Sequence, residues 1–178
     1  MIRLKRLLLE MSGSDIKRCL DKIKNKQFKI IGAGDNGRVY EIDGEDKVFK
    51  ITKERDEYQV AERIVNQIDI FTTFIPVYYV NGSDTYIMAN AERLPNDMKQ
   101  EIDSFMQEYN SFARERGGEV SIFNFLQETD SVNAQLDNFL NALQQDVDRL
   151  NIPEFDLDLD FRSDNVMIWN GKLVLVDW

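Results

Sequence analysis

The first pattern in this sequence that could do chemistry is a Gly-x-Gly-x-x-Gly run, at Gly32, Gly34 and Gly37. In a dinucleotide-binding fingerprint a helix follows the last glycine at once, and the N-terminus of that helix faces the pyrophosphate. Here a β-type run over residues 38–42 follows, and then the turn dipeptide Asp43-Gly44, so the pattern predicts a hairpin. The backbone N–H groups of a glycine hairpin can approach a triphosphate, and Val39 lies where it could cover an adenine. A purely structural turn is the alternative.

Lys50 lies on the β-type run that follows the hairpin. Period-two alternation places Val48 and Lys50 on one face of the strand and Phe49 and Ile51 on the other. A lysine beneath a glycine loop can reach α- and β-phosphates, so Val48 and Lys50 are both candidates for nucleotide binding. The alternative is a lysine that faces solvent, which is the commoner fate of this residue type.

Oxygen-bearing side chains recur near the end of the sequence, at Asp160, Asn165 and Asp177. Asp177 follows a strand-like run over residues 172–176. One carboxylate could orient an acceptor hydroxyl, while an amide and a second carboxylate are the oxygen ligands that Mg²⁺ requires. The alternative is a solvated acidic strand face, and this interpretation is favoured for Asp156 and Asp158.

The composition excludes several other kinds of chemistry. The chain has 178 residues, of which 43% are hydrophobic and 30% charged, a globular balance. It has no histidine, which excludes Ser-His-Asp and Cys-His triads and imidazole ligation of metals. Its single cysteine, Cys19, excludes a disulfide within the chain and a cysteine-based zinc site.

The start of the sequence bears on localisation. The basic opening is closed by Glu10 after three leucines, and no small-residue cleavage site follows, so no signal peptide is expected. The apolar runs are also far shorter than the roughly 18 to 20 residues that span a bilayer, which predicts no membrane partner. Together with the single cysteine, these features predict a cytoplasmic protein.

The net charge of −10 is spread unevenly. Residues 1–30 carry nine Lys and Arg against three Asp and Glu, whereas the remainder carries 13 against 29. A basic segment could meet nucleic acid or an acidic partner. Packing of this segment against the acidic body of the protein is the favoured interpretation, and the acidity of that body disfavours nucleic acid.

The elements that must position these residues follow from periodicity. Apolar and basic residues interleaved over 1–9 predict a short amphipathic helix, and Ser14 predicts the N-cap of a second helix that ends near Asn25. A helix is also predicted over residues 54–68. Around it lie β-type runs, separated by the turn dipeptides Asp43-Gly44 and Asn81-Gly82, over residues 28–31, 38–42, 47–52, 75–80 and 85–88. This pattern predicts antiparallel hairpins.

After Pro95 the period becomes helical. One helix is predicted over residues 98–112, ended by Gly117-Gly118, and another over residues 132–150, stopped by Pro153. The apolar stretch over residues 120–126 is ambiguous, and residues 155–161 alternate again. The predicted fold class is therefore α+β, with antiparallel strands before helices.

These motifs resemble the protein-kinase-like superfamily in their order and approximate spacing. The resemblance rests on the Gly-x-Gly-x-x-Gly-x-Val run, the Lys50 strand, a helix that carries Glu57, the 160–165 loop and the Val-Asp-Trp ending. In its brevity the chain is similar to the short kinase-like proteins of tailed bacteriophages. Its tail, with Asp-x-x-x-x-Asn and then Asp-Trp, is similar to that of aminoglycoside phosphotransferases.

The resemblance implies a two-lobed fold and a function. A helical preface over residues 1–26 would precede an antiparallel β N-lobe over 27–90 and a shortened, mostly helical C-lobe over 91–178. The implied activity is transfer of the γ-phosphoryl group of Mg–ATP to a hydroxyl of an unknown protein or small molecule. The alternative is a pseudokinase that acts as a binding module.

The resemblance also assigns roles to residues. Lys50 would hold the phosphates and Glu57 would orient Lys50, while the adenine would lie against the hinge strand around Met88, Ala89 and Asn90. Asp160 would position the acceptor, and Arg162 would compensate charge on the moving phosphoryl group. Asn165 and Asp177 would bind Mg²⁺.

Helical phase makes Glu57 the expected partner of Lys50. Ala61, Ile64 and Ile68 lie four, seven and eleven residues after Glu57, on the apolar face that must pack on the sheet. Glu62 lies about 140° around the helix from Glu57 and is expected in solvent. The alternative is that Glu57 only complements the helix dipole.

Two departures from protein kinases shape the expectations. Asp158 and Leu159 occupy the places of the His and Arg that precede the catalytic Asp, so regulation through a phosphorylated activation loop is not expected. The helices that form the peptide platform in protein kinases follow the place of Trp178 and are expected to be missing. Substrate docking is then expected from the preface or from residues 96–128.

Overall fold

The change from period-two to helical patterning along the sequence appears in the computed structural model as a change from sheet to helix. The structure describes residues 13–82, 84–118, 120–129, 133–151 and 161–178. The predicted α+β class is confirmed, with an antiparallel sheet followed by a largely helical part. No helix in these ranges is long and apolar enough to cross a bilayer.

The chain divides into two compact units. The N-terminal unit comprises the described residues of Met1–Phe71 together with Ile75–Asn90. The C-terminal unit comprises Thr72–Phe74 and the described residues of Ala91–Trp178. The predicted helix over residues 1–9 lies outside the described residues.

The N-terminal unit is a five-stranded antiparallel sheet with two helices. Its strands have the spatial order β1-β2-β3-β5-β4. In chain order the elements are α1 (Gly13–Lys24), β1 (Phe28–Ala33), β2 (Gly37–Ile42), β3 (Lys47–Thr52), α2 (Arg55–Ile64), β4 (Val77–Asn81) and β5 (Thr85–Ala89). The predicted turns are confirmed, with φ of 68° at Gly44 and 73° at Gly82, a region that glycine enters without a steric cost.

Helix α1 covers one face of this sheet. Cys19 of the helix lies in a buried cluster with Ile42, Phe49 and Ile87 of the strands. The rings of Tyr40 and Phe49 stack beside it with centroids 4.6 Å apart. This helix is therefore part of the core of the unit, although the predicted N-cap was wrong: Ser14 lies inside the described helix, after Gly13.

Opposite charges hold α1 to the β2–β3 turn. Arg18 Nε and Lys22 Nζ lie 2.8 Å and 2.7 Å from Glu45 Oε1. The hydrogen bond from Arg18 is the main cause that lowers the pKa of Glu45 to about 2. For this helix, the predicted packing of the basic segment against acidic residues is confirmed.

Helix α2 is shorter than predicted. It ends at Ile64, and the next two residues leave helical geometry, with ψ of 128° at Val65 and φ of 58° at Asn66. The Asn66 N–H donates to Val77 O at 2.9 Å, so a bond to the start of β4 replaces the next helical bond. The prediction that the helix reaches Ile68 was wrong, and of the three apolar residues predicted to share a face with Glu57, only Ala61 and Ile64 lie in the helix and are buried.

The C-terminal unit combines three helices with a small antiparallel sheet of order β6-β7-β8. Its elements are β6 (Glu92–Arg93), α3 (Asn96–Glu115), α4 (Ile122–Glu128), α5 (Ala134–Leu150), β7 (Val166–Trp169) and β8 (Lys172–Leu175). Gly117 and Gly118 have positive φ and follow α3, as predicted. Helix α5 ends at Leu150 with Asn151 in the left-handed region, before Pro153, which lies outside the described residues.

Buried aromatic rings form much of the core of this unit. Phe105 of α3 contacts Phe125 of α4 and Phe161, with ring centroids 5.3 Å and 6.3 Å away. Phe139 of α5 stacks on Phe161 at 6.2 Å. The ambiguous apolar stretch is thus a helix whose aromatic face joins α3, and Phe161 is anchored directly before the loop that carries Arg162 and Asn165.

A buried carboxylate ties α5 to a segment far away in sequence. Asp146 has no exposed surface, and its Oδ2 accepts from the N–H groups of Thr72 and Thr73 at 2.7 Å and 2.9 Å and from Thr73 Oγ1 at 2.8 Å. Arg149 Nη1 lies 2.6 Å from the other oxygen. The Leu175 N–H donates to Thr73 O at 2.7 Å, so this carboxylate also supports strand β8.

We expect Asp146→Asn to lower the free energy of unfolding by about 2 to 4 kcal/mol. An amide keeps the shape of the side chain but turns one charged acceptor into an N–H group, which would face either the threonine donors or Arg149. The matched control is Asp148→Asn, an exposed carboxylate on the same helix, with an expected change within about 0.5 kcal/mol. Urea titration of both variants measures the difference, and equal losses would contradict the role of Asp146.

Candidate functional site

The glycine run forms the β1–β2 hairpin, as predicted. Gly32 pairs with Val39, Ala33 pairs with Arg38, and the register shifts between Ile30 and Gly32. The Gly34 N–H donates to Gly37 O at 3.0 Å and closes the loop. A strand and not a helix follows the last glycine, so the arrangement differs from a dinucleotide fingerprint.

The three glycines differ in what the protein itself requires of them. A Cβ at Gly37 would lie 2.5 Å from Ile51 O, so the close approach of β2 to β3 requires glycine there. A Cβ at Gly32 would make ordinary contact with the Val39 side chain at 3.7 Å. A Cβ at Gly34 would meet nothing within 4 Å. The structural alternative therefore explains Gly37, whereas the space above Gly34 is open to a ligand.

Alanine substitutions separate these two roles. We expect Gly37→Ala to cost about 1 to 3 kcal/mol of stability, because the added methyl group must displace backbone. We expect Gly34→Ala to leave the free energy of unfolding nearly unchanged, while the affinity for Mg–ATP falls. Thermal unfolding and calorimetric titration measure the two quantities. An equal loss of stability in both variants would contradict the assignment.

Lys50 and Glu57 form a buried ion pair. Their side chains lie on β3 and α2, the residues are 4% and 2% exposed, and Lys50 Nζ is 2.5 Å from Glu57 Oε1. Glu54 and Glu62 are exposed. The pairing predicted from helical phase is confirmed, and the alternative of a solvent-facing Lys50 is wrong.

Strand alternation is confirmed in the same place. Phe49 packs in the cluster beneath α1, whereas Lys50 reaches α2, so the two side chains leave opposite faces of β3. Across the sheet, Lys50 pairs with Val39 of β2 and with Tyr86 of β5. The side chains of Val39, Lys50 and Tyr86 thus lie on one face of the sheet, the face that Glu57 contacts.

Two hydroxyl groups that the sequence did not indicate also contact Glu57. Thr52 Oγ1 donates to Glu57 Oε2 at 2.5 Å, and Tyr86 Oη donates to Glu57 Oε1. Thr52 shares a strand face with Lys50 by alternation, which is the signal that could have identified it. Tyr86 is placed opposite Lys50 only by the register of β3 and β5.

The other predicted nucleotide-binding residues lie on neighbouring strands of this unit. Val48 of β3 pairs with Met88 of β5, and both are buried. Val39 is half-buried. Asn90 is exposed, and its N–H donates to Asp46 O at 3.0 Å, which fixes the chain just after β5.

The predicted metal residues lie near one end of a hairpin in the C-terminal unit. Val166 of β7 pairs with Leu175 of β8, and beyond that pair the Val176 N–H donates to Asn165 O at 2.9 Å. Asn165 and Asp177 are therefore neighbours, although they lie twelve positions apart in the sequence. The strand β7 and its turn at Asn170-Gly171 were not predicted, although Asn-Gly is a strong hairpin signal.

The donors at this hairpin end fit Mg²⁺. An amide oxygen and a carboxylate oxygen are hard ligands, and Mg²⁺ is commonly held by one or two carboxylates together with substrate phosphates. Within the described ranges no cluster of three or more Asp, Glu or Cys side chains could hold a metal ion. A site of the kind that the sequence predicts does not need such a cluster.

Charged residues surround the loop before Asn165. Asp160 lies outside the described residues. Arg162 is exposed, and its carbonyl accepts from the Asn165 N–H at 2.9 Å, which closes a turn. Lys99 Nζ of α3 lies 2.6 Å from Asp164 Oδ1, and the hydrogen bond from Lys99 is the main cause that lowers the pKa of Asp164. Asp164 belongs to the loop that the sequence singled out, whereas Lys99 was not predicted to contact this loop.

Among solved structures, the chain is similar to the ternary complex of streptomycin, ATP and the aminoglycoside phosphotransferase APH(2″)-IIa. The similarity covers 95% of this chain and 71% of that chain, with 16% sequence identity and a TM-score of 0.39. No family model and no curated protein sequence matches the chain. Functional inference therefore depends on the side chains described above.

Proposed function

We propose that this protein is a phosphotransferase that moves the γ-phosphoryl group of Mg–ATP to a hydroxyl group of a protein or small molecule. The observation that carries the proposal is the buried Lys50–Glu57 pair beside a glycine hairpin with open space above Gly34. A buried ion pair adds little net stability, since apolar residues of similar volume serve as well or better. The buried pair is therefore better explained by a role in binding a ligand than by a contribution to the free energy of unfolding.

Nucleotide binding follows from the same face of the sheet. The Lys50 ammonium would hold the α- and β-phosphates beneath the backbone N–H groups of the hairpin, and Glu57 would orient Lys50. The side chains of Val39, Val48 and Met88 would cover the adenine. Asn90 lies just after β5, where backbone groups could meet the edge of the base.

The C-terminal unit would supply the groups for transfer. Asn165 and Asp177 would hold Mg²⁺, which when bound supplies positive charge to the phosphate oxygens. Asp160 would accept the proton of the acceptor hydroxyl and orient it, and the Arg162 guanidinium would counter charge on the phosphoryl group. We also propose the cytoplasmic location that the sequence predicts. If the protein is of bacteriophage origin, as the resemblance implies, this is the cytoplasm of the host.

Titration calorimetry and thermal unfolding with ATP, with and without Mg²⁺, test this proposal. At a concentration 100 times its Kd, a ligand should stabilise the native state by about 2.7 kcal/mol. We expect saturable binding that requires Mg²⁺, strong weakening in Lys50→Met, and no change in the control Lys29→Met, an exposed lysine of β1.

Transfer is measured separately, with γ-labelled ATP and a panel of protein and small-molecule hydroxyl acceptors. Binding without transfer to any acceptor would favour the pseudokinase alternative. No saturable signal at millimolar ATP with Mg²⁺ would rule out the phosphotransferase.

A further inference from the structure

We infer that Thr52 and Tyr86 are positioning residues that hold Glu57 against Lys50 in the nucleotide-free protein, so that this pair needs no activating event to form. Three donors contact the Glu57 carboxylate from two strands: Lys50 Nζ and Thr52 Oγ1 of β3, and Tyr86 Oη of β5. For its kinetic consequences, this inference rests on the proposed function.

Both carboxylate oxygens are engaged. Oε1 receives Lys50 and Tyr86, and Oε2 receives Thr52. Thr52 is 3% exposed and Tyr86 is fully buried, so water cannot easily replace their hydroxyl groups. If Glu57 moved away, its carboxylate would give up these three contacts, and Lys50, Thr52 and Tyr86 would each lose a charged partner in an environment that largely excludes water. Each such loss is costly, which opposes movement of the carboxylate.

The same residues fix the helix that carries Glu57. Thr52 Oγ1 also accepts from the Glu54 N–H at 3.0 Å, at the N-terminal end of α2. One turn into the helix, Tyr58 Oη donates to Gly82 O in the β4–β5 turn at 2.7 Å. Val60 and Ala61 of the helix are fully buried. Helix α2 is therefore fixed at its start and along its inner face. Thr52 contacts both the backbone at the start of this helix and the Glu57 carboxylate, so it couples the position of the helix to that of the carboxylate.

The consequence concerns the fraction of molecules that are ready to bind nucleotide. If only a fraction f has the pair assembled, the apparent Kd equals the intrinsic Kd divided by f. With Glu57 held by three donors, f is close to one in the wild type. Loss of one hydroxyl lowers f, which weakens apparent nucleotide affinity, but a saturating nucleotide restores the assembled state.

The test uses Thr52→Val and Tyr86→Phe, which remove the hydroxyl groups and keep the size of the side chains, singly and together. The matched controls are Thr85→Val, whose hydroxyl contacts exposed Asp84, and Tyr109→Phe, whose hydroxyl donates to Val120 O in the C-terminal unit. The first measurement is hydrogen exchange of the α2 amides in the nucleotide-free protein. We expect slow exchange in the wild type and both controls, and faster exchange confined to α2 in the two test variants.

The second measurement is the split between KM for ATP and kcat. We expect each test variant to raise KM for ATP by about 3- to 10-fold, with kcat at saturating ATP nearly unchanged, as a fall in f to roughly 0.1 to 0.3 requires. A merely structural role would lower kcat in proportion to the folded fraction and leave KM unchanged, and that result would overturn the inference. Rescue of the α2 exchange rate by saturating Mg–ATP would support it.

Two further outcomes keep the inference separate from the proposed function. If the wild type binds no Mg–ATP, the proposed function fails, and the exchange comparison alone decides whether Thr52 and Tyr86 hold α2. If the α2 amides of the nucleotide-free wild type exchange as fast as those of the double variant, or slow markedly only when Mg–ATP is added, the pair is not assembled beforehand. Either exchange result would overturn the inference. The second is measured on the wild type alone, so it does not depend on how well a variant folds.

Discussion

Asp160→Asn should reduce phosphoryl transfer by about 10²- to 10⁴-fold and leave the affinity for Mg–ATP nearly unchanged. The reason is the role proposed for this carboxylate, which is to accept the proton of the acceptor hydroxyl and not to bind the nucleotide or the metal. An amide of the same shape cannot accept that proton. Turnover with labelled ATP and calorimetric titration with Mg–ATP measure the two effects on one preparation.

Asp177→Asn is the matched comparison. Asp177 lies beside Asn165 at the end of the β7–β8 hairpin, where both would hold Mg²⁺. We expect this variant to bind Mg–ATP more weakly than the wild type does. If the two variants lost nucleotide affinity equally, the proposed division between acceptor and metal residues would be wrong.

Glu57→Gln should destabilise the protein by about 3 to 5 kcal/mol and reduce ATP-dependent phosphorylation at equal folded fraction. The substitution removes the negative charge of Glu57 from its contact with the buried Lys50 ammonium, and it places an N–H group against the Lys50, Thr52 or Tyr86 donors. Urea titration gives the loss of stability. Activity is then compared at a temperature where both wild type and variant are fully folded.

Glu62→Gln is the control on the same helix. Glu62 is exposed, and the expected change in the free energy of unfolding is within about 0.5 kcal/mol, with phosphorylation unchanged. A larger loss of phosphorylation in Glu62→Gln than in Glu57→Gln would mean that the functional partner of Lys50 lies on another face of α2 from the one observed.

Local periodicity was enough to predict most of the strands and the ion pair. Strand β3 has the predicted bounds, Lys47–Thr52, because alternation and the flanking turn both mark it. Glu57 was predicted from phase because a helix rotates by about 100° per residue, so residues four and seven positions later must share its face. Both predictions depend on neighbours within about ten residues, which the sequence displays directly.

Other features depend on contacts that no short window of sequence records. Tyr86 lies 29 positions after Glu57 and meets it only because β5 pairs with β3 in one register. A shift of one residue would place its ring on the opposite face. Asp146 lies 73 positions after Thr73, and in the sequence it is one acidic residue of an amphipathic helix that has others.

The end of α2 shows, within one element, the same difference between what the local sequence predicts and what a long-range contact decides. The sequence continues with Asn66, Gln67 and Ile68, all compatible with a helix, yet the helix stops at Ile64 because Asn66 bonds to Val77 of β4. The sequence by itself determined most of the strands and helices, and which acidic residue faces Lys50. Only the tertiary structure decided how many donors hold that residue and where α2 ends, because strand register and long-range hydrogen bonds arise from residues far apart in the chain.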